Sequence, residues 1–210
     1  MNMETQIKSL EDLDIYNLLN HKDKLNISFE EFFMACAKDV MNNICIFNGK
    51  YTYHPIEIEF YIYDKKRHPD ILVYPRDKKE AGDILFHLSG MDICFKSSIE
   101  DSRFGGILIR ALEREEDGKQ FGGPLICKDE VLNNATQKCE IRSCPKEFKN
   151  NILKVTQRKG FKKPKGSKDI YWDKNYRFVR DNVQKPIRRV EKQFNSNTGI
   201  IEDIEKKCYL

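Results

Sequence analysis

The spacing of apolar residues changes along the chain, from a helical period near the N-terminus to strict alternation further on. Ser28 and Glu31 form the S-x-x-E pattern of a capping box, which begins many helices. Apolar residues then recur three and four positions apart, at Phe29, Phe32, Phe33, Cys36, Ala37, Val40 and Met41. The pattern predicts an amphipathic helix. Residues 9–20 predict a shorter helix packed beside it, with Ser9 as a candidate N-cap.

A period of two begins at Ile56 and predicts a β-strand with two different faces. One face carries only apolar side chains: Ile56, Ile58, Phe60 and Ile62. The other carries carboxylates and aromatic rings: Glu57, Glu59, Tyr61 and Tyr63. The apolar face predicts a place in the core. The opposite face therefore displays acidic and aromatic groups on a rigid strand, where they are held more steadily than on a loop.

Shorter apolar runs bounded by turn residues predict the remaining elements. Strands are expected at 44–47, 84–88, 92–95, 106–112, 153–158 and 170–180. Helices are expected from Gly123-Pro124 to about residue 133 and over 145–154. The fold class predicted is α/β (α+β): a single mixed domain with a curved, largely antiparallel sheet packed by helices. Its 210 residues suit one domain over 1–183, with a C-terminal appendage over 184–210 that ends in a short helix.

Composition indicates the cellular compartment of the protein and whether it binds a metal. No apolar run is long enough to cross a bilayer, and the N-terminal residues lack the pattern of a secretory signal, so we expect a cytoplasmic protein without a membrane partner. The seven cysteines are odd in number and lie mostly in apolar stretches, which predicts reduced, buried thiols. Their spacing fits no closed zinc site, so neither a metal nor another cofactor is predicted.

The net charge of +4 hides an uneven distribution. Residues 141–190 hold sixteen Lys or Arg against four Asp or Glu, whereas residues 1–140 hold eighteen against twenty-five. A basic segment beside an acidic body is typical of polyanion binding, because each neutralised phosphate releases counterions. Within it, Tyr171, Trp172, Tyr176 and Phe178 alternate with Lys174, Arg177 and Arg180. The alternative is a solvated lysine-rich surface, with Trp172 and Phe178 in the core.

The order of several motifs resembles the 3-methyladenine (alkyladenine) DNA glycosylase family over about residues 28–182. Residues 57–61 (EIEFY) look like the family's E-T-E-A-Y strand, and residues 108–113 (LIRALE) look like its L-L-R-A-L-E strand. Weaker matches follow the same order, at Glu31-Phe32-Phe33, Ser89-Gly90-Met91-Asp92-Ile93-Cys94, Gly123-Pro124-Leu125, Arg158-Lys159-Gly160 and Tyr176-Arg177-Phe178-Val179.

The resemblance implies a monofunctional DNA N-glycosylase of base-excision repair, acting as a monomer on double-stranded DNA that contains a damaged base. Such an enzyme flips the damaged purine out of the duplex, at a cost of a few kcal/mol. Glu59 would activate the hydrolytic water, Arg110 would steady the catalytic centre, Tyr61 would stack on the flipped base, and His68 would be the pocket histidine. Alkylation makes the purine a better leaving group, so this chemistry needs no metal.

Three positions depart from the family pattern. Six residues separate His68 from Tyr61 where the family usually has eight, and Pro69-Asp70 follow it. Ser89 stands where the family inserts a tyrosine into the base stack, and Lys96 is the position nearest to the family's pocket asparagine. Tyr74 and Phe86 are alternative wedges, and Phe86 is also a predicted base contact. The predicted DNA contacts are Ser89, Met91, Lys96, Arg158, Lys174, Arg177 and Arg180. Two other hypotheses stay open: a catalytically inactive nucleic-acid binder on the same scaffold, and a small-ligand enzyme of unrelated chemistry.

Overall fold

In the part of the chain that the computed structural model describes, three α-helices and a short 3-10 helix accompany a curled ten-stranded sheet and a separate two-stranded sheet. The structure describes residues 10–145, 153–159, 170–180, 183, 191–195 and 200–204. A short 3-10 helix (Leu10–Asp12) leads into α1 (Ile15–Leu25) and α2 (Phe29–Asn43), and α3 (Pro124–Asn133) follows most of the strands. No helix in these ranges is long and apolar enough to cross a membrane.

The start of α1 differs from its prediction. The helix begins at Ile15, because the Asp14 carboxylate accepts hydrogen bonds from the N–H groups of Tyr16, at 2.8 Å, and Asn17, at 3.3 Å. The helix ends at Leu25, where Asn26 adopts the left-handed conformation. The predicted bounds of 9–20 were therefore wrong, since a better cap lies further along. Ser9 lies outside the described residues.

The capping box of α2 is confirmed. Ser28 Oγ accepts the Glu31 N–H at 3.2 Å, and the Glu31 carboxylate accepts the Ser28 N–H at 3.0 Å. Two N–H groups without intrahelical partners are thereby satisfied at the helix start. The predicted apolar face packs against the sheet, with Phe33 stacked on Phe60 at a centroid distance of 5.0 Å. The helix thus covers the apolar face of the central strand.

The sheet is antiparallel throughout the strand pairs that the structure describes. Its strands are β1 (Ile44–Phe47), β2 (Thr52–Asp64), β3 (His68–Pro69), β4 (Ile84–His87), β5 (Gly90–Cys94), β6 (Arg103–Arg114), β7 (Gln120–Gly122), β8 (Glu140–Ser143), β9 (Leu153–Thr156) and β10 (Arg177–Arg180). The main order is β4-β5-β6-β2-β1-β8, and β10 pairs with β2 and β9. The protein is therefore a mixed α/β domain with a curled antiparallel sheet packed by helices, as predicted.

The two faces of β2 are confirmed. Ile56, Ile58, Phe60 and Ile62 are each at most 1% exposed and join the core. Glu57, Glu59, Tyr61 and Tyr63 lie on the other side, where Tyr61 packs with Val73 and Phe104 in a smaller apolar cluster. Both sides of this strand are therefore enclosed along much of its length, which keeps its side chains fixed.

Two bulges lie opposite one another between β2 and β6. Pro55 pairs with Leu112 and Glu57 with Ala111, so Ile56 is an extra residue on β2. Glu57 pairs with Ala111 and Ile58 with Ile109, so Arg110 is an extra residue on β6. Bulges often re-aim side chains beside functional sites. Arg110 thus leaves the regular ladder next to the two glutamates.

Several other predictions can be compared with the structure. Helix α3 and the strands at 44–47, 84–87, 90–94 and 103–114 agree with it. Residues 170–173 form bends and a turn, residues 174–176 have no regular structure, and the strand begins only at Arg177. The helix predicted over 145–154 falls mostly outside the described residues, and β9 already begins at Leu153. In the appendage, β11 (Glu191–Asn195) and β12 (Ile200–Ile204) form an antiparallel pair, and the predicted terminal helix lies beyond the described residues.

The cysteine prediction was wrong at two positions. Cys45 and Cys144 form a disulfide with a Cα–Cα distance of 5.7 Å. Adjacent strands explain the pair, since Ile44 on β1 lies opposite Ser143 on β8. The other described cysteines are free, with Cys36, Cys94 and Cys127 buried and Cys139 half-buried.

Candidate active site

The carboxylate of Glu59 lies at the centre of a buried polar cluster. Its side chain is 0% exposed. Oε2 accepts the Tyr61 hydroxyl at 2.9 Å, and Oε1 accepts the backbone N–H of Lys159 at 2.8 Å. Arg110 Nη1 lies 3.3 Å from Oε1. The structure thus brings together Glu59, Tyr61 and Arg110, the three residues that the sequence assigned to one centre.

Strand pairing explains why these side chains meet. Glu59 and Tyr61 are two positions apart on β2 and share a face. Leu108 on β6 lies directly opposite Glu59, and the bulged Arg110 follows two residues later. Arg177 on β10 lies opposite Glu59 from the other side. The central strand therefore presents its carboxylate to guanidinium groups from both neighbouring strands.

Glu57 is a second carboxylate of the cluster. Its Oε1 accepts Arg110 Nε at 2.9 Å and Arg177 Nε at 2.7 Å. Arg177 Nη1 also donates to Thr156 Oγ1 at 3.0 Å. Glu57 therefore fixes both guanidinium groups beside Glu59. Sequence reasoning gave it no role, although its position on the same face as Glu59 was the available signal.

The environment shifts the proton affinities of the cluster. Burial raises the pKa of Glu59 above its usual range, and Arg110, the Lys159 N–H, Tyr61 and Arg177 offset only part of the rise. Burial and the neighbouring Glu59 carboxylate also raise the pKa of Tyr61, which keeps the phenol protonated. Burial opposes the charge on Arg110, but Glu59 and Glu57 outweigh it and raise its pKa. The site holds a carboxylate that is easier to protonate than an ordinary glutamate, beside a permanent cation.

A cavity of about 670 Å³ opens beside this cluster. Six basic side chains and one carboxylate are among its lining residues: Arg110, Lys154, Arg158, Lys159, Arg177, Arg180 and Glu57. Glu59 and Tyr61 lie behind this lining. The volume falls within the usual range of small-molecule sites. Its charge suits an anionic ligand.

Arg158 ties the edge of the cavity to the rest of the fold. Its Nη1 pairs with Asp70 Oδ2 at 2.6 Å, and both side chains are 0% exposed. Its Nη2 donates to the Tyr171 carbonyl at 2.8 Å, and its guanidinium carbon lies 4.7 Å from the centroid of the Tyr61 ring. Arg158 therefore supports Tyr61 as well as lining the cavity.

His68 lies among the aromatic side chains of the core. Nδ1 donates to the Ile62 carbonyl at 2.7 Å, and Nε2 accepts the Tyr176 hydroxyl at 3.0 Å. Its ring centroid lies 4.4 Å from that of Phe29. Burial lowers the pKa of His68, which favours the neutral ring. His68 is not among the residues that line the cavity beside Glu59.

The remaining predicted contacts are scattered. Met91 is 0% exposed in the core, and Phe86 is half-buried against it. Lys96 lines a separate cavity of about 240 Å³. Lys174 pairs with Glu30 at 3.1 Å. Of the seven predicted DNA contacts, Arg158, Arg177 and Arg180 line the large cavity. Phe178 is fully buried in the core, whereas Trp172 is only half-buried.

Leu88 is an exposed apolar residue that sequence reasoning missed. It lies between β4 and β5 and is 94% exposed, whereas Tyr74 is 77% exposed. The neighbouring Ser89 donates its N–H to His87 Nδ1 at 3.2 Å, and Gly90 packs so closely on Pro124 that a Cβ would lie 2.7 Å from the proline Cβ. The hairpin tip therefore stands beside the start of α3, where Gly123 lines the cavity. An apolar residue directly before the Ser-Gly turn was the available signal.

The chain matches no protein-family model, and no curated protein matches it.

Proposed function

We propose that the protein is a DNA N-glycosylase of base-excision repair, which hydrolyses the N-glycosidic bond of a flipped, alkylated or otherwise damaged purine. One observation carries this proposal: the buried Glu59 carboxylate contacts Tyr61 and Arg110 beside a cationic cavity. The order of family-like motifs along the chain supports it independently.

In this reaction Glu59 accepts a proton from the water that attacks C1′, and the purine leaves with the electrons of the glycosidic bond. A raised pKa suits a general base that works near neutral pH. Arg110 compensates the carboxylate charge and fixes its position. Tyr61 is 7% exposed and bonded to Glu59, so we assign it a positioning role. Arg110 and Lys159 line the cavity and lie between it and Glu59. The substrate must therefore approach Glu59 from the side of the cavity.

The partner in this proposal is double-stranded DNA that contains a damaged base. The exposed residues Lys154 and Lys159 line the cavity and supply charge to neutralise phosphates, whereas Arg158, Arg177 and Arg180 are buried in its wall. We propose that the protein acts as a monomer in the cytoplasm, or at the nucleoid in a bacterial cell. The carboxylate-activated water requires no cofactor.

The experiment measures base release by the purified protein from duplexes that contain hypoxanthine, 1,N6-ethenoadenine or 3-methyladenine. We expect base release from at least one duplex and a loss of at least about 100-fold in Glu59→Gln, the usual scale for a general base. Glu140→Gln is the matched control, because Glu140 is an exposed strand residue paired with Arg142. Release by Glu59→Gln at the parent rate would contradict the mechanism.

A second candidate is a nucleic-acid binder without catalysis. The observation that favours it is the complete burial of Glu59, whose two oxygens accept hydrogen bonds from Lys159 and Tyr61. In this case the parent protein and Glu59→Gln would bind duplex DNA equally, with a steep salt dependence, and neither would release a base.

A further inference from the structure

Lys159 joins the candidate base to the cavity. Its backbone N–H donates to Glu59 Oε1 at 2.8 Å, and the residue lines the cavity beside Arg110. Lys159 itself is exposed, unlike the fully buried Glu59. One residue thus holds the carboxylate with its main chain and forms part of the cavity wall.

The amine of Lys159 has an unusual setting for a surface lysine. Among the described residues, no carboxylate lies within ion-pair distance of it. Partial burial and the charges of Arg177 and Arg110 lower its pKa, and the carboxylates of Glu57 and Glu59 offset part of this decrease. A larger fraction of this lysine is therefore the free, nucleophilic amine near neutral pH than for an ordinary lysine.

The reach of the side chain covers the reaction centre. Four methylene groups allow a lysine amine to reach about 6 Å from its Cα. The Lys159 backbone nitrogen already lies in hydrogen-bond contact with Glu59, which would activate the water that attacks C1′. The same C1′ is the aldehyde carbon of an abasic site, the product of base release. The amine and the product aldehyde can therefore meet in the cavity.

We propose that Lys159 is the nucleophile of a second activity, the cleavage of abasic DNA through a Schiff base. This inference rests on the proposed function only in placing DNA in the cavity.

The steps balance without a further reactant. The free Lys159 amine adds to C1′ of the ring-opened aldehyde, and the adduct takes up one proton from solvent and loses one water to give the protonated imine. The imine makes the C2′ proton acidic, Glu59 accepts that proton, and the C3′–O3′ bond breaks with its electron pair. The strand leaves with a 5′-phosphate, and water then hydrolyses the imine to return the amine and an unsaturated aldehyde.

A duplex with a preformed abasic site, incubated with the protein and sodium borohydride, tests the inference apart from base release. Borohydride reduces the imine to a stable secondary amine, which appears as a covalent protein–DNA band. We expect this band with the parent and at least a tenfold loss in Lys159→Arg, which keeps the charge but not the nucleophile. Lys138→Arg, an exposed lysine outside the cavity, should keep the band.

Three results would overturn the inference. The first is an unchanged band in Lys159→Arg, and the second is a loss of the band in Lys154→Arg instead. The third is the absence of a band from the parent protein when a gel shift shows that the protein is bound to the DNA. A tetrahydrofuran site, which has no aldehyde, should give no band. Glu59→Gln should still form the band while losing base release. The two assays therefore distinguish a failure of the base-release proposal from a failure of the proposal for Lys159.

Discussion

Tyr61, which is 7% exposed, donates its phenolic hydrogen to the fully buried Glu59 across two positions of one strand, at 2.9 Å. A hydrogen bond to the charged form of an acid favours that form. This bond therefore holds the pKa of Glu59 below the value that burial alone would give. The phenol thus favours the ionised form of the candidate base.

Replacing Tyr61 with Phe should raise the pKa of Glu59 further. The acid limb of the pH–rate profile for base release should move to higher pH, and the rate at neutral pH should fall several-fold. Measuring release from pH 5 to pH 9 checks this. Tyr51→Phe is a suitable control, because Tyr51 lies before β2 and away from the cavity lining. A profile unchanged by Tyr61→Phe would show that the bond has no effect on the base.

The raised pKa of Glu59 should also appear in the stability of the protein. Because the folded state binds this proton more tightly than the unfolded state does, the contribution of Glu59 is greatest below its usual pKa and is lost as pH rises through the raised value. Glu59→Gln removes this dependence. Urea unfolding over that pH window should show a flatter loss of stability in Glu59→Gln. Parallel curves for parent and variant would contradict the assignment.

Arg110→Ala should destabilise the fold strongly. Glu57 and Glu59 would keep only Arg177 as a nearby guanidinium, and removing one partner of a buried pair costs about 3–5 kcal/mol. The exposed Arg142 pairs with Glu140 on β8, and Arg142→Ala should cost only about 0–1 kcal/mol. Denaturant unfolding of both variants gives the comparison. Equal effects would show that the cluster behaves as a surface ion pair.

Leu88 should act as the residue that enters the base stack, since apolar side chains commonly wedge between base steps. Leu88→Ala should lower base release from a paired lesion by about tenfold, with little change on a single-stranded substrate. The free energy of unfolding of Leu88→Ala should differ from that of the parent by less than about 0.5 kcal/mol, because the side chain is 94% exposed. Tyr74→Ala and Leu132→Ala are the comparison variants. A loss confined to Tyr74→Ala would assign the wedge to the other loop.

Local patterns predicted the parts of the site that lie on one element. Alternation along β2 placed Glu59 and Tyr61 on one face, and the capping box located α2. The order of the motifs assigned Arg110 to the same centre as Glu59. The bulge at Arg110 depends on the register between β2 and β6, where the paired residues are more than fifty positions apart, and no local period encodes that register.

Long-range packing also explains the positions that the sequence pattern did not reveal. Cys45 and Cys144 are 99 positions apart and meet only because β1 and β8 are neighbours. His68 follows β2 closely in sequence, but its two ring hydrogen bonds hold it among core aromatic side chains. Met91 belonged to a promising motif, yet alternation along β5 turns it into the core. Residue type and order alone did not determine these positions.

The bulges at Ile56 and Arg110 cancel each other, because Tyr53 lies opposite Arg114 and Asp64 opposite Arg103 in one continuous register. Deleting Ile56 alone would slide half of β2 by one position and reverse the faces of its side chains relative to β6. Deleting both residues would restore a plain ribbon and would remove the guanidinium together with the buried Ile56 side chain. A lineage could therefore gain or discard this cation through one paired insertion or deletion, while every other partner across the two strands stayed the same.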